Sequence, residues 1–221
     1  YICSMLNRPD KYYRVCEIPK VRKTREIEAP RVALKYIQKW LSLSFDRVWR
    51  AQSTVHGFVR ERSHMSAAQT HVGAIWVASL DIENFFPSVS ADRVESALEK
   101  LGYQSIESLL ILVRILCYRG RLSQGAPSSP VVSNIVMDEL DRKLQEIALH
   151  YGVRYTRYAD DIVFSGTRDF DSTFFEKAKS LVVADGWSLS PRKVGVTFYP
   201  QRLKVHGLLV HGDAIRLTKG Y

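Results

Sequence analysis

The stretch Tyr155–Ser165, with the sequence YTRYADDIVFS, decides how this chain is organised. Aromatic and β-branched residues occupy both of its ends, which is typical of paired strands, and two adjacent aspartates occupy its middle. The pattern predicts a β-hairpin with Asp160 and Asp161 at the turn. An Asp-Asp pair alone is more often a solvated turn, since Asp is a common turn residue. The apolar flanks place this pair inside a sheet core, where a divalent cation such as Mg²⁺ is the usual means of neutralising it.

Composition and charge narrow the class of protein. The 221 residues include 32 Lys and Arg against 23 Asp and Glu, so the net charge is +9. An excess of this kind predicts a polyanionic partner, although a basic protein need not have one. Hydrophobic residues make up 46% of the chain, which argues against disorder. A chain of this length can form one large domain or two small ones.

The sequence also bears on the cellular location of the protein and on whether this chain is a fragment. No apolar run approaches the ~20 residues that a membrane span requires, so we expect no membrane association. The cysteines at positions 3, 16 and 117 lack metal-ligand spacing, and we interpret them as reduced thiols in a cytoplasmic protein. The chain begins at Tyr1, and we therefore expect it to be a fragment.

A third carboxylate follows another apolar run. Residues 75–86, IWVASLDIENFF, predict a buried strand that ends in the carboxylate of Asp81. An Asp in such a place can also be a turn former. Strands distant in sequence can meet in one antiparallel sheet, which would bring Asp81 to Asp160 and Asp161. The backbone carbonyl of Ile82 could then supply a further oxygen ligand.

Periodicity and punctuation residues outline the remaining elements. His56 and His71 form no metal-ligand pattern, and we expect both to be structural hydrogen-bonding groups. The predicted elements are a basic hairpin over 14–30 turning near Arg22–Thr24, a helix over 31–49, a helix from Ser90 to Gly102, a helix over 105–117, a helix from Pro130 to Tyr151, a helix ending at Gly186, a run of strands ending at 205–210, and a turn at 211–213.

Several motifs together resemble reverse transcriptases, in particular the bacterial retron-like or related defence-associated group. Tyr158-Ala159-Asp160-Asp161 resembles the central catalytic motif of that family. The other matching motifs follow in the family's order: the basic fingers hairpin with Arg25-x-Ile27-x-x-Pro30, Asp81 followed by FFPS at 85–88, Gln124-Gly125-x-x-x-Ser129-Pro130, and the region from Lys193 to Gly207.

The resemblance implies an α+β fold with the fingers and palm of a right-hand polymerase. An antiparallel palm sheet would be backed by helices, with no thumb visible. It divides the chain into fingers at about 1–74 and 90–122 and palm at about 75–89 and 123–221.

The resemblance also implies an RNA-directed DNA polymerase that adds dNTPs to a primer 3′-hydroxyl. Asp81, Asp160 and Asp161 would be catalytic, and together with Ile82 they would hold two Mg²⁺ ions, which Mn²⁺ can replace. The implied dNTP-binding residues are Arg25, Phe86, Gln124, Gly125 and Lys193. The implied nucleic-acid-binding residues are Tyr158, Ser129, His206 and Gly207.

Two of these roles have a clear physical basis. The planar guanidinium of Arg25 suits the bidentate binding of phosphate oxygens. Phe86 is the bulky residue five positions after Asp81, which in the family packs beneath the nucleotide sugar and leaves no room for a 2′-hydroxyl. The sequence therefore predicts a DNA product.

The partners implied are an RNA template, a nucleic-acid primer and dNTPs. The template would be a cognate structured non-coding RNA that is copied in antiviral defence, and an effector protein is a candidate partner. The nearest alternative is a group II intron-type reverse transcriptase, although its insertion and maturase region are not present. A palm-fold nucleotidyl cyclase is disfavoured by the Gln124-Gly125 loop and the basic hairpin. A non-catalytic RNA-binding palm is disfavoured by the three aspartates.

Overall fold

The structure is a computed structural model that describes residues 2–20 and 23–218. Its helices are α1 (Ile2–Asn7), α2 (Val32–Val48), α3 (His64–Thr70), α4 (Phe85–Ser88), α5 (Ala91–Lys100), α6 (Ile106–Leu116), α7 (Ser129–His150) and α8 (Ser172–Ala184), with a short 3-10 helix at Pro9–Tyr12. Its strands are β1 (Tyr13–Lys20), β2 (Lys23–Pro30), β3 (Trp76–Asp81), β4 (Cys117–Tyr118), β5 (Arg121–Leu122), β6 (Arg154–Tyr158), β7 (Asp161–Gly166), β8 (Gly195–Phe198), β9 (Lys204–Val205), β10 (Leu208–Leu209) and β11 (Arg216–Leu217).

The chain forms two compact units. Unit 1 comprises Tyr1–Arg50 and Asn84–Val136, and unit 2 comprises Ala51–Glu83 and Met137–Tyr221. No helix in the part of the chain that the structure describes is long and apolar enough to cross a membrane. The combination of helices with antiparallel sheets confirms the predicted α+β class.

Unit 1 contains the predicted basic hairpin. Strands β1 and β2 pair antiparallel in a continuous register from Tyr13↔Pro30 onwards. The predicted turn near residues 22–24 falls partly on Val21 and Arg22, which lie outside the described residues. The buried amide of Gln38 on α2 donates hydrogen bonds to Tyr13 Oη (2.9 Å) and to the carbonyl of Ile115 (2.8 Å). These bonds fix α2 against both β1 and α6.

Unit 2 is built on a four-stranded sheet with the order β6-β7-β3-β8, in which every neighbouring pair is antiparallel. Strand β3 is almost entirely buried, as expected for a central strand. Aromatic side chains attach α8 to the sheet: the ring of Phe174 lies 5.0 Å from Phe164 and 6.4 Å from Trp76, between centroids. A helix therefore backs the sheet, as predicted.

The strand predicted to end in Asp81 does end there, and Asn84 then adopts a left-handed backbone conformation (φ 50°) immediately before the short helix α4. The strand run predicted to end at 205–210 is interrupted by a tight turn, where His206 and Gly207 both have positive φ (48° and 83°). Such a pair of positive φ angles is typical of a two-residue hairpin turn.

Candidate active site

The end of β3 and the turn of the β6-β7 hairpin meet in unit 2. Asp81 lies directly opposite Asp161 in the antiparallel register, so their Cα atoms are paired. The backbone N–H of Ile82 donates to the carbonyl of Asp160 (3.1 Å), which fixes the hairpin turn to the end of β3. The structure thus brings Asp81, Asp160 and Asp161 together.

Two basic side chains contact these carboxylates. Lys193 Nζ lies 2.5 Å from Asp81 Oδ2, and His206 Nδ1 lies 3.5 Å from Asp161 Oδ2. The backbone N–H of Ser190 also donates to the carbonyl of Asp81 (2.8 Å), so the segment that carries Lys193 is tied to the end of β3. Lys193 and His206 are therefore part of the same site as the aspartates.

The crowded charges change the acidity of the aspartates. Burial raises the pKa of Asp81 to about 6; the bond from Lys193 opposes this rise, whereas Asp161 and Asp160 add to it. Burial also acts to raise the pKa of Asp161, but its hydrogen bonds with His206 and Asp81 bring the net pKa below the usual value. Burial thus dominates at Asp81, whereas the contacts of Asp161 favour its charged form.

The turn that carries the aspartates is itself strained and closely supported. Ala159 has a left-handed backbone conformation (φ 57°), which is uncommon for a residue other than glycine. A Cβ atom built on Gly57 would lie 2.3 Å from the backbone nitrogen of Ala159. The segment 55–57 can therefore support the turn only because residue 57 is glycine.

A buried ion pair supports the same turn. Arg157 is completely buried, and it makes two hydrogen bonds of 2.7 Å with the carboxylate of Asp141 on α7. Tyr155 Oη donates to the same carboxylate (2.6 Å), and Arg157 Nη1 donates to the carbonyl of Ala159 (3.0 Å). The guanidinium thus links α7 to the backbone immediately before Asp160.

Sequence reasoning did not identify Asp141 or the role of Arg157. A signal for Asp141 was available, because it occupies a core-facing position of α7 among the buried side chains of Met137, Leu140 and Leu144. A carboxylate on the apolar face of a helix requires a buried partner.

The region predicted to bind nucleic acid lies beside the aspartates. The rings of Tyr158 and His206 have centroids 5.2 Å apart. Within the described structure, the Nε2 atom of His206 is buried and has no hydrogen-bond partner. Tyr158, His206 and Gly207 therefore belong to the same local group as the carboxylates.

Other predicted site residues belong to unit 1. The carbonyl of Gln124 accepts a hydrogen bond from the N–H of Glu28 on β2 (2.9 Å). Gly125 has φ 134°, and an added Cβ would lie 3.1 Å from the carbonyl oxygen of Glu28, so the loop requires glycine there. Ser129 Oγ is buried and donates to the carbonyl of Ser123 (2.8 Å), which shapes the loop before α7.

The other two predicted site residues of unit 1, Arg25 and Phe86, are less buried than Ser129. Arg25 is exposed on β2, opposite Ile18. Phe86 lies on α4, where it is half-buried, whereas its neighbour Phe85 is buried. Both phenylalanines lie on the same helical turn.

The chemistry of the donor atoms fits a hard cation. Carboxylate and carbonyl oxygens are the ligands that Mg²⁺ prefers. Among the residues that the structure describes, no three His, Cys, Asp or Glu side chains form a ready-made metal cluster. A metal ion at Asp81 would instead take the place of the Lys193 ammonium, which is the cation now bonded to that carboxylate.

Comparisons with known proteins agree with this geometry. Residues 18–208 match the family model described as reverse transcriptase (RNA-dependent DNA polymerase). The retron Ec86 reverse transcriptase of Escherichia coli is 31% identical over 95% of this chain and 67% of its own length. The retron Mx65 reverse transcriptase of Myxococcus xanthus is 33% identical over 91% of this chain and 52% of its own length.

Solved structures show the same fold at much lower identity. Telomerase from Candida albicans, in complex with a TWJ fragment of telomeric RNA, superposes with a TM-score of 0.66 at 12% identity, over 90% of this chain and 45% of that one. Apo telomerase from Candida tropicalis, truncated from its C-terminal domain, gives 0.61 at 11% identity, over 93% of this chain and 55% of that one.

The chain spans 52% to 67% of the length of these two retron enzymes. The family match covers most of the chain, and it includes all three aspartates of the site. The chain belongs to the reverse transcriptase (RNA-dependent DNA polymerase) family and is of the bacterial retron-like type.

Proposed function

We propose that this chain carries the polymerising site of an RNA-directed DNA polymerase that transfers dNTPs to a primer 3′-hydroxyl. The observation that carries the proposal is the meeting of Asp81 with Asp160 and Asp161 at the end of β3, in a chain of this family. The division into fingers at about 1–74 and 90–122 and palm at about 75–89 and 123–221 stays a prediction.

Two Mg²⁺ ions, which Mn²⁺ can replace, are the proposed cofactors. Asp81, Asp160 and Asp161, with the carbonyl of Ile82, would hold them. When bound, such ions would lower the pKa of the primer hydroxyl and stabilise the negative charge on the transferred phosphate. The pairing of Asp81 with Asp161 at the end of β3, with the carbonyl of Asp160 bonded to the N–H of Ile82, supports this assignment.

The chain's own residues would then orient the substrates. Arg25 is proposed to bind the triphosphate through its exposed guanidinium, and Phe86 to contact the sugar. Gln124 and Gly125 are proposed to position the nucleotide. Ser129 is proposed to contribute to nucleic-acid binding by shaping this loop, since its buried hydroxyl donates to the carbonyl of Ser123. Lys193 is proposed to move from Asp81 to the departing pyrophosphate, for which its half-exposed ammonium is suited.

The proposed partners are an RNA template and a nucleic-acid primer. Tyr158, His206 and Gly207 would contact the primer beside the aspartates. On the likeness to retron enzymes, we propose that the template is a cognate structured non-coding RNA. A role in antiviral defence and an effector protein as a further partner are proposed on the same basis.

Primer extension on an annealed RNA template tests the proposal. We expect Asp160→Ala and Asp161→Ala to abolish Mg²⁺-dependent dNTP incorporation, because each removes a metal ligand. The exposed Asp213→Ala is the matched control and should retain wild-type extension. Mg²⁺ should also raise the thermal midpoint of the wild type more than that of either variant, since a ligand stabilises the state that binds it. Near-wild-type extension by both variants would contradict the assignment.

A further inference from the structure

Helix α2 has an outward face that is apolar and aromatic. Its inward face buries Leu34, Leu41 and Phe45 among others. On the opposite side, Val32, Tyr36, Trp40 and Leu43 recur at helical spacing and expose 70%, 74%, 66% and 49% of their surface. Isolated exposed apolar residues are common, but a contiguous row with two large aromatics marks an interaction surface. We name these four residues, with the cations described next, the α2 outer face.

Cations flank this row. Lys35, Lys39, Arg47 and Arg50 are all exposed. At 100° per residue Lys39 and Arg47 fall on the same side of the helix axis as Tyr36 and Trp40, Lys35 lies at the edge of that side, and Arg50 follows the end of α2 at Val48. Within the described residues none of the four makes an ion pair or a side-chain hydrogen bond. Asp46 is the only acidic residue in the sequence of α2. The face therefore combines a stacking surface with an excess of positive charge, which Asp46 beside Lys39 offsets only in part.

We propose that the α2 outer face binds RNA. The four cations would contact phosphates, while unpaired bases would stack on Trp40 and Tyr36. The positive charge complements a polyanion, and rings beside cations are the combination that binds single-stranded segments of RNA. The RNA partner itself rests on the proposed function, but the surface is additional to the residues assigned to polymerisation.

Equilibrium binding of a fluorescein-labelled RNA hairpin with a single-stranded 3′ tail tests the surface. We expect Trp40→Ala to weaken binding by about 5- to 150-fold, which is the loss of one stacked base. The double variant Lys35→Gln/Lys39→Gln should lower the slope of log K against log salt by about 2. Ile106→Ala on α6 removes another strongly exposed apolar side chain of unit 1, and it should bind the hairpin like wild type.

A second measurement separates this surface from the active site. Extension of a short pre-annealed primer–template should keep the wild-type kcat in Trp40→Ala, since the short duplex does not depend on the α2 outer face. If wild type extends no primer while Trp40→Ala still weakens hairpin binding, the proposed function fails and the surface stands. Unchanged hairpin binding in both α2 variants would overturn the proposed RNA-binding surface. It would also be overturned if Trp40→Ala bound RNA like wild type but lost a concentration-dependent self-association that wild type shows.

Discussion

Arg157 is a charged side chain with no exposed surface, and it is stable there because every direction of its guanidinium has an acceptor. Two nitrogens face Asp141, and a third faces the carbonyl of Ala159. A charge buried without such partners would cost several kcal/mol. We expect this pair to position the strained turn that carries Asp160.

Shortening or neutralising either partner should be damaging. We expect Asp141→Asn and Arg157→Lys each to reduce stability by about 3–5 kcal/mol, because each leaves a buried charge poorly paired. Tyr155→Phe keeps the ion pair and removes one hydrogen bond, so it should cost only about 1.5–3 kcal/mol. Urea unfolding measures stability, and kcat at saturating dNTP reports whether the turn still positions Asp160. Equal losses in all three variants would contradict a special role for the ion pair.

Phe86 carries the predicted choice of sugar. If its ring lies beneath the nucleotide, a 2′-hydroxyl there would be crowded and unpaired, at a cost of about 1–3 kcal/mol. Phe86→Val should then raise the ratio of rNTP to dNTP kcat/KM by about 5- to 150-fold. Both substrates should be measured on one primer–template. A ratio that stays constant in a folded, active variant would remove the physical support for a DNA product.

At this scale the sequence predicted the three aspartates but not the buried ion pair that supports them. The three aspartates could be predicted because hydrophobic strands flank them. The contact of Arg157 with Asp141 could not, since residues 16 positions apart on a strand and a helix meet only through packing. The pairing of His206 with Asp161 likewise depends on a turn whose location the strand pattern concealed.

Among the elements, α3 is joined to the central sheet by one histidine. His71 follows the last residue of α3 and is completely buried. Its Nδ1 lies 2.7 Å from Ser165 Oγ on β7, and its Nε2 lies 2.7 Å from Thr156 Oγ1 on β6. The expectation that His71 is a structural hydrogen-bonding group is confirmed, as it is for His56, whose Nδ1 lies 2.8 Å from Ser66 Oγ.

This histidine should make stability depend on pH. Burial lowers the pKa of His71 to about 3 from an ordinary value near 6.5, with positive neighbours adding to the effect. Below pH 6.5 His71 binds a proton in the unfolded chain but not in the folded chain. The contribution of neutral His71 to stability is therefore complete above pH 6.5 and falls as the pH falls. Between pH 7 and pH 5 the loss should be about 2 kcal/mol.

Comparison of variants isolates this contribution. His71→Gln should be less stable than wild type at pH 7, yet its free energy of unfolding should fall less between pH 7 and pH 5. His150→Gln, at the exposed end of α7, should keep the wild-type dependence. An identical slope in wild type and His71→Gln would show that His71 does not resist protonation.

Several helix ends and the β1-β2 and β6-β7 hairpins were predictable, because the residues that mark them are local in the sequence. Helix α7 begins at Ser129 with Pro130 in its first turn and ends at His150, before Gly152, as expected. Strand partners were not predictable from propensity, since β8 joins β3 from far along the chain. The resemblance implied an antiparallel sheet, but the order β6-β7-β3-β8 was not predicted and is known from the structure.

The net charge of +9 concerns the molecule as a whole. If RNA is the partner, each phosphate that is neutralised releases condensed counterion, and affinity must fall as salt rises. We expect log K for the labelled hairpin to fall linearly with log salt, with a slope of about −0.7 to −0.9 for each phosphate contacted. Fluorescence anisotropy across a salt series measures it. A flat response would mean that the basic excess serves another purpose.

The central position of β3 has a consequence for biosynthesis. Asp81 lies 112 residues before the lysine that contacts it, and His71 lies 94 residues before Ser165. Contacts with such long sequence separation form slowly, since loop-closure entropy must be overcome before they contribute. On the ribosome β3 therefore emerges well before its neighbours β7 and β8, with an apolar strand that has no partner. Until those strands are synthesised, the nascent chain depends on protection from aggregation.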